Sequence, residues 1–207
     1  MELFLLITHT FSLFPISVFL WSWKIGKDLQ SIYILFYFIY CVTFSLFYHS
    51  YHVKDIDNIS EHQYIYSLLD SYLSSSLIIV DFFYSVRVRS PQFYIISQFS
   101  SLTLLILFLF NLNQIIIYGM ILIITIVGII KWRTIYRYII KYYFLSFFSV
   151  TSIFLAFYNY FYEGDYVYYH SWWHFFIFVS SGLGAIMRFK LDQELYPVAL
   201  REQIDSI

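Results

Sequence analysis

Seven long apolar stretches separated by short polar breaks constrain this chain more than any other feature. A helix needs about 20 mainly apolar residues to cross the hydrocarbon core of a bilayer, and no polar break is long enough for a soluble domain. Charged residues make up 12% of the chain, against about 25% in an ordinary soluble domain. The sequence therefore predicts an all-α integral membrane protein, a seven-transmembrane helix bundle. The predicted spans cover residues 3–23, 29–50, 64–84, 93–110, 115–132, 138–160 and 167–189.

The first apolar stretch, MELFLLITHTFSLFPISVFLWSWK, is predicted to be a spanning helix rather than a cleaved signal peptide. It has no basic segment before its apolar part, since Glu2 is its only early charge, and no small-residue cleavage site ends it. Residues 1–190 are predicted to form the membrane domain, and the polar residues 191–207 a cytosolic tail.

The basic residues fall on one side of the predicted bundle. Of the 12 Lys and Arg residues, all but Lys54 lie in the breaks after spans one, three and five or near the C-terminus. Because Lys and Arg concentrate on the cytoplasmic side, we expect the N-terminus outside or in a lumen and the C-terminus in the cytosol. Asp81, at the inner end of span three near Arg87, is interpreted as an interfacial charge.

The predicted location is the plasma membrane or an endomembrane such as that of the ER or Golgi. The expected partner is a membrane lipid. The net charge of −1 creates no field that would attract nucleic acid, so no nucleic-acid partner is expected. The oligomeric state stays open, with a homodimer as one alternative. Cys41 is the single cysteine, so an intrachain disulfide is excluded.

Five polar residues fall at one depth of the predicted bundle, in the outer leaflet. An ionisable residue in a span is costly, usually faces the bundle interior and is a functional candidate. Two pairs among the five are four residues apart, and such residues share one face of a helix. The five are Ser45 and His49 in span two, Asp70 in span three, and His170 and His174 in span seven.

Three imidazoles, a carboxylate and a hydroxyl from three helices suit a zinc site. A catalytic zinc commonly has three protein ligands and keeps a fourth position for water, from which it generates hydroxide at neutral pH. We expect His49, His170 and His174 to be the zinc ligands. Asp70 would orient the water or take its proton, and Ser45 would hydrogen-bond Asp70, a ligand or the developing oxyanion.

Other interpretations of these residues stay open. A lone histidine such as His9 in span one is more often hydrogen-bonded to a neighbouring helix than to a metal. His52 is an alternative to His49 as a ligand, and Asp70 could form only a structural hydrogen bond to another span. His49 with His170 or His174 could instead hold a haem iron between them, which would leave the Ser and Asp unexplained.

The same residues resemble the CREST superfamily of seven-span membrane proteins, which includes alkaline ceramidases and adiponectin-type receptors. The branch of myomaker and GPI-specific phospholipase A2 is the most similar, through "SLFYH" at the end of span two, the Asp in "LLDSYLSSS" and "DYVYYHSWWH" at the start of span seven. The resemblance implies a seven-helix bundle around an outward-facing zinc. It places the ligands on His49, His170 and His174, and the family's Ser and Asp on Ser45 and Asp70.

The resemblance implies two functions. The known activities of the superfamily are hydrolyses of a lipid amide or ester, which predicts a zinc-dependent intramembrane hydrolase. The chain has no large extracellular domain before span one, unlike the phospholipase members, and in this it is similar to myomaker. The alternative is therefore a non-enzymatic, myomaker-like membrane-remodelling or fusion protein with a structural zinc, although myomaker lacks the span-three Asp that this chain has in Asp70. A receptor that senses lipid is a third alternative.

Overall fold

The computed structural model describes residues 2–26, 28–52, 61–161 and 166–195. These residues form helices joined by short connections, and they contain no strand. The elements in chain order are α1 (Glu2–Thr8), a 3-10 turn (His9–Ser12), α2 (Leu13–Gly26), α3 (Leu29–His52), α4 (Glu61–Ser85), α5 (Ser90–Leu109), α6 (Asn113–Ile130), α7 (Trp132–Lys141), α8 (Tyr143–Phe161) and α9 (Tyr166–Leu195).

The prediction of an all-helical chain with several membrane-length apolar helices is confirmed. Within the described residues, six helices are long and apolar enough to cross a membrane, and a seventh is added if the bent pair α6 and α7 counts as one span. The six correspond to α3, α4, α5, α8, α9 and the continuous segment of α1, the 3-10 turn and α2. α6 and α7 meet at an angle of 77°.

The connection between the predicted fifth and sixth spans differs from the sequence interpretation. The sixth span was predicted to begin at residue 138, but α8 begins at Tyr143 and the ten residues Trp132–Lys141 form the separate helix α7. Arg133 and Arg137 are exposed on α7, whereas Tyr138 is buried and donates a 2.6 Å hydrogen bond to the Ser85 carbonyl. Basic residues four apart occupy one face of α7, which is typical of a helix that lies along a membrane surface.

The exterior of the bundle is apolar and its interior contains small polar side chains. Phe99 and Phe154 are 71% and 72% exposed, while Ser31 and Ser97 are fully buried. A soluble protein has the opposite tendency, with Ser mostly exposed. Helices that associate in lipid pack through small residues and hydrogen-bond across their interfaces, and this bundle has that organisation.

Helix α9 packs against α1, α2, α4 and α8. Two glycines allow the close approach: a Cβ on Gly182 would overlap the Phe14 ring of α2, and one on Gly184 would lie 2.7 Å from Ser85 Oγ of α4. Both contacts require a residue without a side chain. α9 continues as a helix to Leu195, past the predicted end of the last span at residue 189, and the residues from 196 onward lie outside the described part.

A buried arginine joins three elements at the end of the bundle opposite the histidines. Arg188 of α9 donates hydrogen bonds to Asp28 Oδ2 at 3.0 Å, just before α3, and to the Tyr84 carbonyl of α4 at 2.8 Å. Its guanidinium carbon lies 3.7 Å from the centroid of the Tyr84 ring. Asp192, one turn further along α9, accepts a 3.3 Å hydrogen bond from Arg188 Nε and forms a 2.6 Å ion pair with Arg87.

We expect Arg188→Ala to lower the midpoint of thermal unfolding by roughly 10 °C, because loss of one partner from a buried ion pair is strongly destabilising. The measurement is thermal unfolding of the purified protein in detergent. Arg133→Ala, which removes an exposed arginine of α7, is the matched control and should leave the midpoint unchanged. Equal midpoints for the two variants would show that the Arg188 contacts do not stabilise the bundle.

Candidate functional site

Three of the predicted site residues bring their imidazoles together at one end of the bundle. His49 of α3 has its Nε2 atom 3.2 Å from His174 Nε2 and 3.2 Å from His170 Nε2, both on α9. The ring centroids of His170 and His174 are 4.6 Å apart, as expected for residues four apart on one helix face. His49 and His174 are 0% and 2% exposed, and His170 is partly buried. The site is therefore a buried imidazole cluster between two helices.

A fourth imidazole, that of His9, joins this cluster, although the sequence interpretation treated it as a structural histidine. His9 is 3% exposed, and its ring centroid lies 4.2 Å from that of His174. Each of His9, His49 and His174 offers a ligand nitrogen within 4.8 Å of the other two. The depth of His9 in the predicted first span could have indicated that it joins the cluster. His9 lies about as far into its span as the histidines of span seven lie into theirs.

His9 lies in a tightly wound turn of the first span. Pro15 lies in the first turn of α2, where its missing N–H is tolerated, but its ring would clash with the carbonyl of Phe11 in a continuous α-helix. The turn directly before it, His9–Ser12, is a 3-10 helix, which is wound more tightly than an α-helix. The first span is therefore wound more tightly where His9 enters the bundle interior, although it continues as one helical segment.

The predicted Asp70 and Ser45 lie beside the imidazoles and are connected to His9. Both side chains are buried, and the hydroxyls of Ser45 and Ser74 lie beside the Asp70 carboxyl group, whose Oδ1 has no hydrogen-bond partner within the described residues. Ser45 Oγ is also 3.0 Å from His9 Nε2. A hydroxyl has one proton, so a Ser45 that donates to an ionised Asp70 must accept from His9 Nε2–H. In that arrangement Nδ1 would be the His9 nitrogen with a lone pair for a metal.

Two separations between imidazole nitrogens match those around a tetrahedral metal, and the imidazoles whose ligand atoms all lie within 4.8 Å of one another are those of His9, His49 and His174. Zinc bound at about 2.0–2.1 Å holds its nitrogen ligands roughly 3.3–3.4 Å apart, close to the 3.2 Å that separates His49 Nε2 from His170 Nε2 and from His174 Nε2. A ring nitrogen carries one proton or one lone pair, so one well-aligned hydrogen bond explains only one of the two contacts. A shared cation accounts for both, and imidazole ligands suit zinc, copper, iron and nickel.

The haem alternative does not fit these distances. The two axial ligands of a haem lie on opposite faces of the porphyrin, so the macrocycle must pass between them. The 3.2 Å separations from His49 Nε2 to His170 Nε2 and to His174 Nε2 leave no room for a porphyrin. The other alternative ligand, His52, has its side chain outside the described residues, so the structure does not place it.

Two cavities reach the imidazole cluster. The first has a volume of about 310 Å³ and an almost entirely apolar lining, with His174 and Ser45 at one end and Met187 at the other. The second has a volume of about 760 Å³ and is lined by Asp70 and His170 together with further polar side chains. Cavities of this size are typical of small-molecule sites. The candidate metal centre is thus accessible to a ligand with both apolar and polar parts.

The described fold and site define an all-helical protein with membrane-length apolar helices and a buried cluster of imidazoles. No protein-family model, curated protein or solved structure matches the chain. Its function is therefore inferred from the chemistry of the cluster and its cavities.

The four histidines should contribute unequally to zinc affinity. We expect His49→Ala, His170→Ala and His174→Ala each to weaken zinc binding by roughly a hundredfold or more, because each removes one of the closely spaced nitrogens. His9→Ala should cost about tenfold, the effect of losing an outer partner, because His9 Nε2 is hydrogen-bonded to Ser45. The measurement is zinc competition with a chelator of known affinity. A larger loss for His9→Ala than for His170→Ala would contradict this ordering.

Proposed function

We propose that this protein is a zinc-dependent intramembrane hydrolase of a lipid amide or ester. The observation that carries the proposal is the position of His49 Nε2, 3.2 Å from both His170 Nε2 and His174 Nε2. Three neutral imidazoles are a ligand set of catalytic zinc sites, in which the fourth position belongs to water or substrate. The resemblance of the motifs around these residues to the CREST superfamily supports the same reaction.

The proposed topology has seven spans, with the N-terminus outside or lumenal and the C-terminus cytosolic, in the plasma membrane or an endomembrane. α6 would be the fifth span, since its 18 residues give a helix about 27 Å long, close to the hydrocarbon thickness. α7 would lie along the cytosolic surface. In this topology the imidazole cluster is just beneath the exoplasmic face, and the substrate is an acyl-lipid that enters from the outer leaflet.

The residues around the cluster have distinct proposed roles. When bound, zinc would supply Lewis acidity and a hydroxide nucleophile at neutral pH. Asp70, held by the hydroxyls of Ser45 and Ser74, is the general base that takes the proton of the attacking water and returns it to the leaving group. The apolar cavity receives the acyl chain, and the larger, more polar cavity beside Asp70 and His170 receives the head group.

Two substitutions separate metal binding from proton transfer. His170→Ala should remove zinc and hydrolysis together, whereas Asp70→Asn should keep zinc and slow hydrolysis by roughly 10²–10⁴-fold, the usual contribution of a general base. The measurements are metal content and fatty-acid release from a panel of ceramides and phospholipids. The matched control is Tyr168→Ala, an exposed residue on the same helix as His170, which should retain both properties. Wild-type protein without stoichiometric zinc would overturn the proposal.

The second candidate function is a membrane-remodelling or fusion protein with a structural zinc. The observation that favours it is His9, because a fourth imidazole within 4.8 Å of His49 and His174 could complete a closed four-ligand site of the structural type. This function predicts that zinc-loaded protein releases no fatty acid but promotes mixing of cells that express it. Loss of cell mixing in Asp70→Asn protein that retains zinc would contradict a purely structural metal.

A further inference from the structure

An unused carboxyl group faces the apolar cavity below the imidazole cluster. Asp81 of α4 lines this cavity together with Ser181 of α9. The sequence interpretation placed Asp81 near Arg87 as an interfacial charge, but Arg87 pairs with Asp192. The Ser181 hydroxyl lies beside the Asp81 carboxyl, yet within the described residues neither Asp81 Oδ1 nor Ser181 Oγ has a hydrogen-bond partner of good geometry.

The neighbouring polar groups of the cavity do not satisfy these two atoms. The hydroxyl of Ser149 pairs with that of Ser180 at 3.1 Å, and the Tyr138 hydroxyl donates to the Ser85 carbonyl. Most of the remaining lining is apolar. Buried polar atoms in native proteins nearly always have a partner, and an unpaired one is costly. Asp81 and Ser181 therefore form an unfilled polar position in an otherwise apolar cavity.

This polar position lies about halfway along the cavity. The cavity extends along α9 from His174 to Met187, which are 13 positions apart in the sequence and hence about 20 Å apart along the helix axis. Ser181 is seven positions from His174, or roughly 10 Å. An extended chain advances about 1.1–1.2 Å per bond, as the protein backbone does. A group that hydrogen-bonds to Asp81 and Ser181 would thus be eight or nine bonds along an extended chain from a group held at the imidazoles.

We propose that the apolar cavity binds an acyl chain that carries a hydroxyl group near its middle, hydrogen-bonded by Asp81 and Ser181. A hydroxyl both donates and accepts, so it satisfies the carboxyl and the serine together. A ketone only accepts, and an ammonium group would have to be desolvated in an apolar cavity. This inference names the substrate class of the proposed hydrolase, and it rests on that proposed function for the bond that is cleaved. Binding of the acyl chain is a separate property.

The test compares the binding of stearate, 10-hydroxystearate and 2-hydroxystearate to the wild-type protein in nanodiscs, by displacement of a fluorescent fatty acid. We expect 10-hydroxystearate to bind about tenfold more tightly than stearate, since one or two additional buried hydrogen bonds are formed. 2-Hydroxystearate should bind like stearate, because its hydroxyl cannot reach Asp81. The double variant with Asp81→Leu and Ser181→Ala should bind stearate normally and lose the preference.

The matched control is Ser149→Ala, which removes a hydroxyl from the same cavity that already has a partner, and it should keep the preference. Equal affinity of the wild type for stearate and 10-hydroxystearate would overturn the inference and indicate that water alone occupies the polar position. A preference that survives the double variant would also overturn it.

The two proposals fail separately in this experiment. Wild-type protein that prefers 10-hydroxystearate but contains no zinc and releases no fatty acid would refute the proposed function and support the hydroxyl site. Protein that binds zinc and hydrolyses esters of stearate and 10-hydroxystearate with equal efficiency, and binds both acids equally, would support the proposed function and refute the hydroxyl site.

Discussion

A polar group that faces hydrocarbon has no water to bond with, and this constraint organises the whole bundle. The helices place their apolar side chains outside, so each buried polar side chain must find its partner on another helix. Two such groups within the described residues lie around His49 and His174 and around Arg188. Both groups include α9, on which His174 and Arg188 are 14 positions apart, or about 21 Å along the helix.

The two groups have different consequences for the protein. The Arg188 group is satisfied by Asp28, Asp192 and the Tyr84 carbonyl, so it joins α3, α4 and α9 and needs no ligand. The imidazole group contains nitrogens 3.2 Å apart, and it borders two cavities. One end of the bundle is therefore built for stability, and the other end has the donors and the space that a metal and a lipid require.

The sequence predicted those parts of the structure that have a local periodicity. Membrane-length apolar runs predicted the long helices, and the spacing of four residues indicated a shared face for His170 and His174. Contacts set by distant residues were missed. No other histidine or acidic residue lies three or four positions from His9, and its neighbours in the cluster, His49 and His174, come from distant helices. Asp81 was expected to lie near Arg87 because the two are close in the sequence. Arg87 instead forms an ion pair with Asp192, which is more than 100 positions from Asp81 in the sequence.

The position of Asp70 favours a catalytic over a structural metal. A structural site with four imidazoles needs no carboxylate, and a buried ionisable group in a membrane bundle is costly and is a functional candidate. Asp70 is nevertheless buried, lies beside the hydroxyls of Ser45 and Ser74 and lines the larger cavity. Ser45 connects it to His9, so the fourth imidazole has a place in the proton network even if it never binds the metal. The proposed hydrolase would give both the carboxylate and the cavity a role, whereas a structural zinc would give a role to neither.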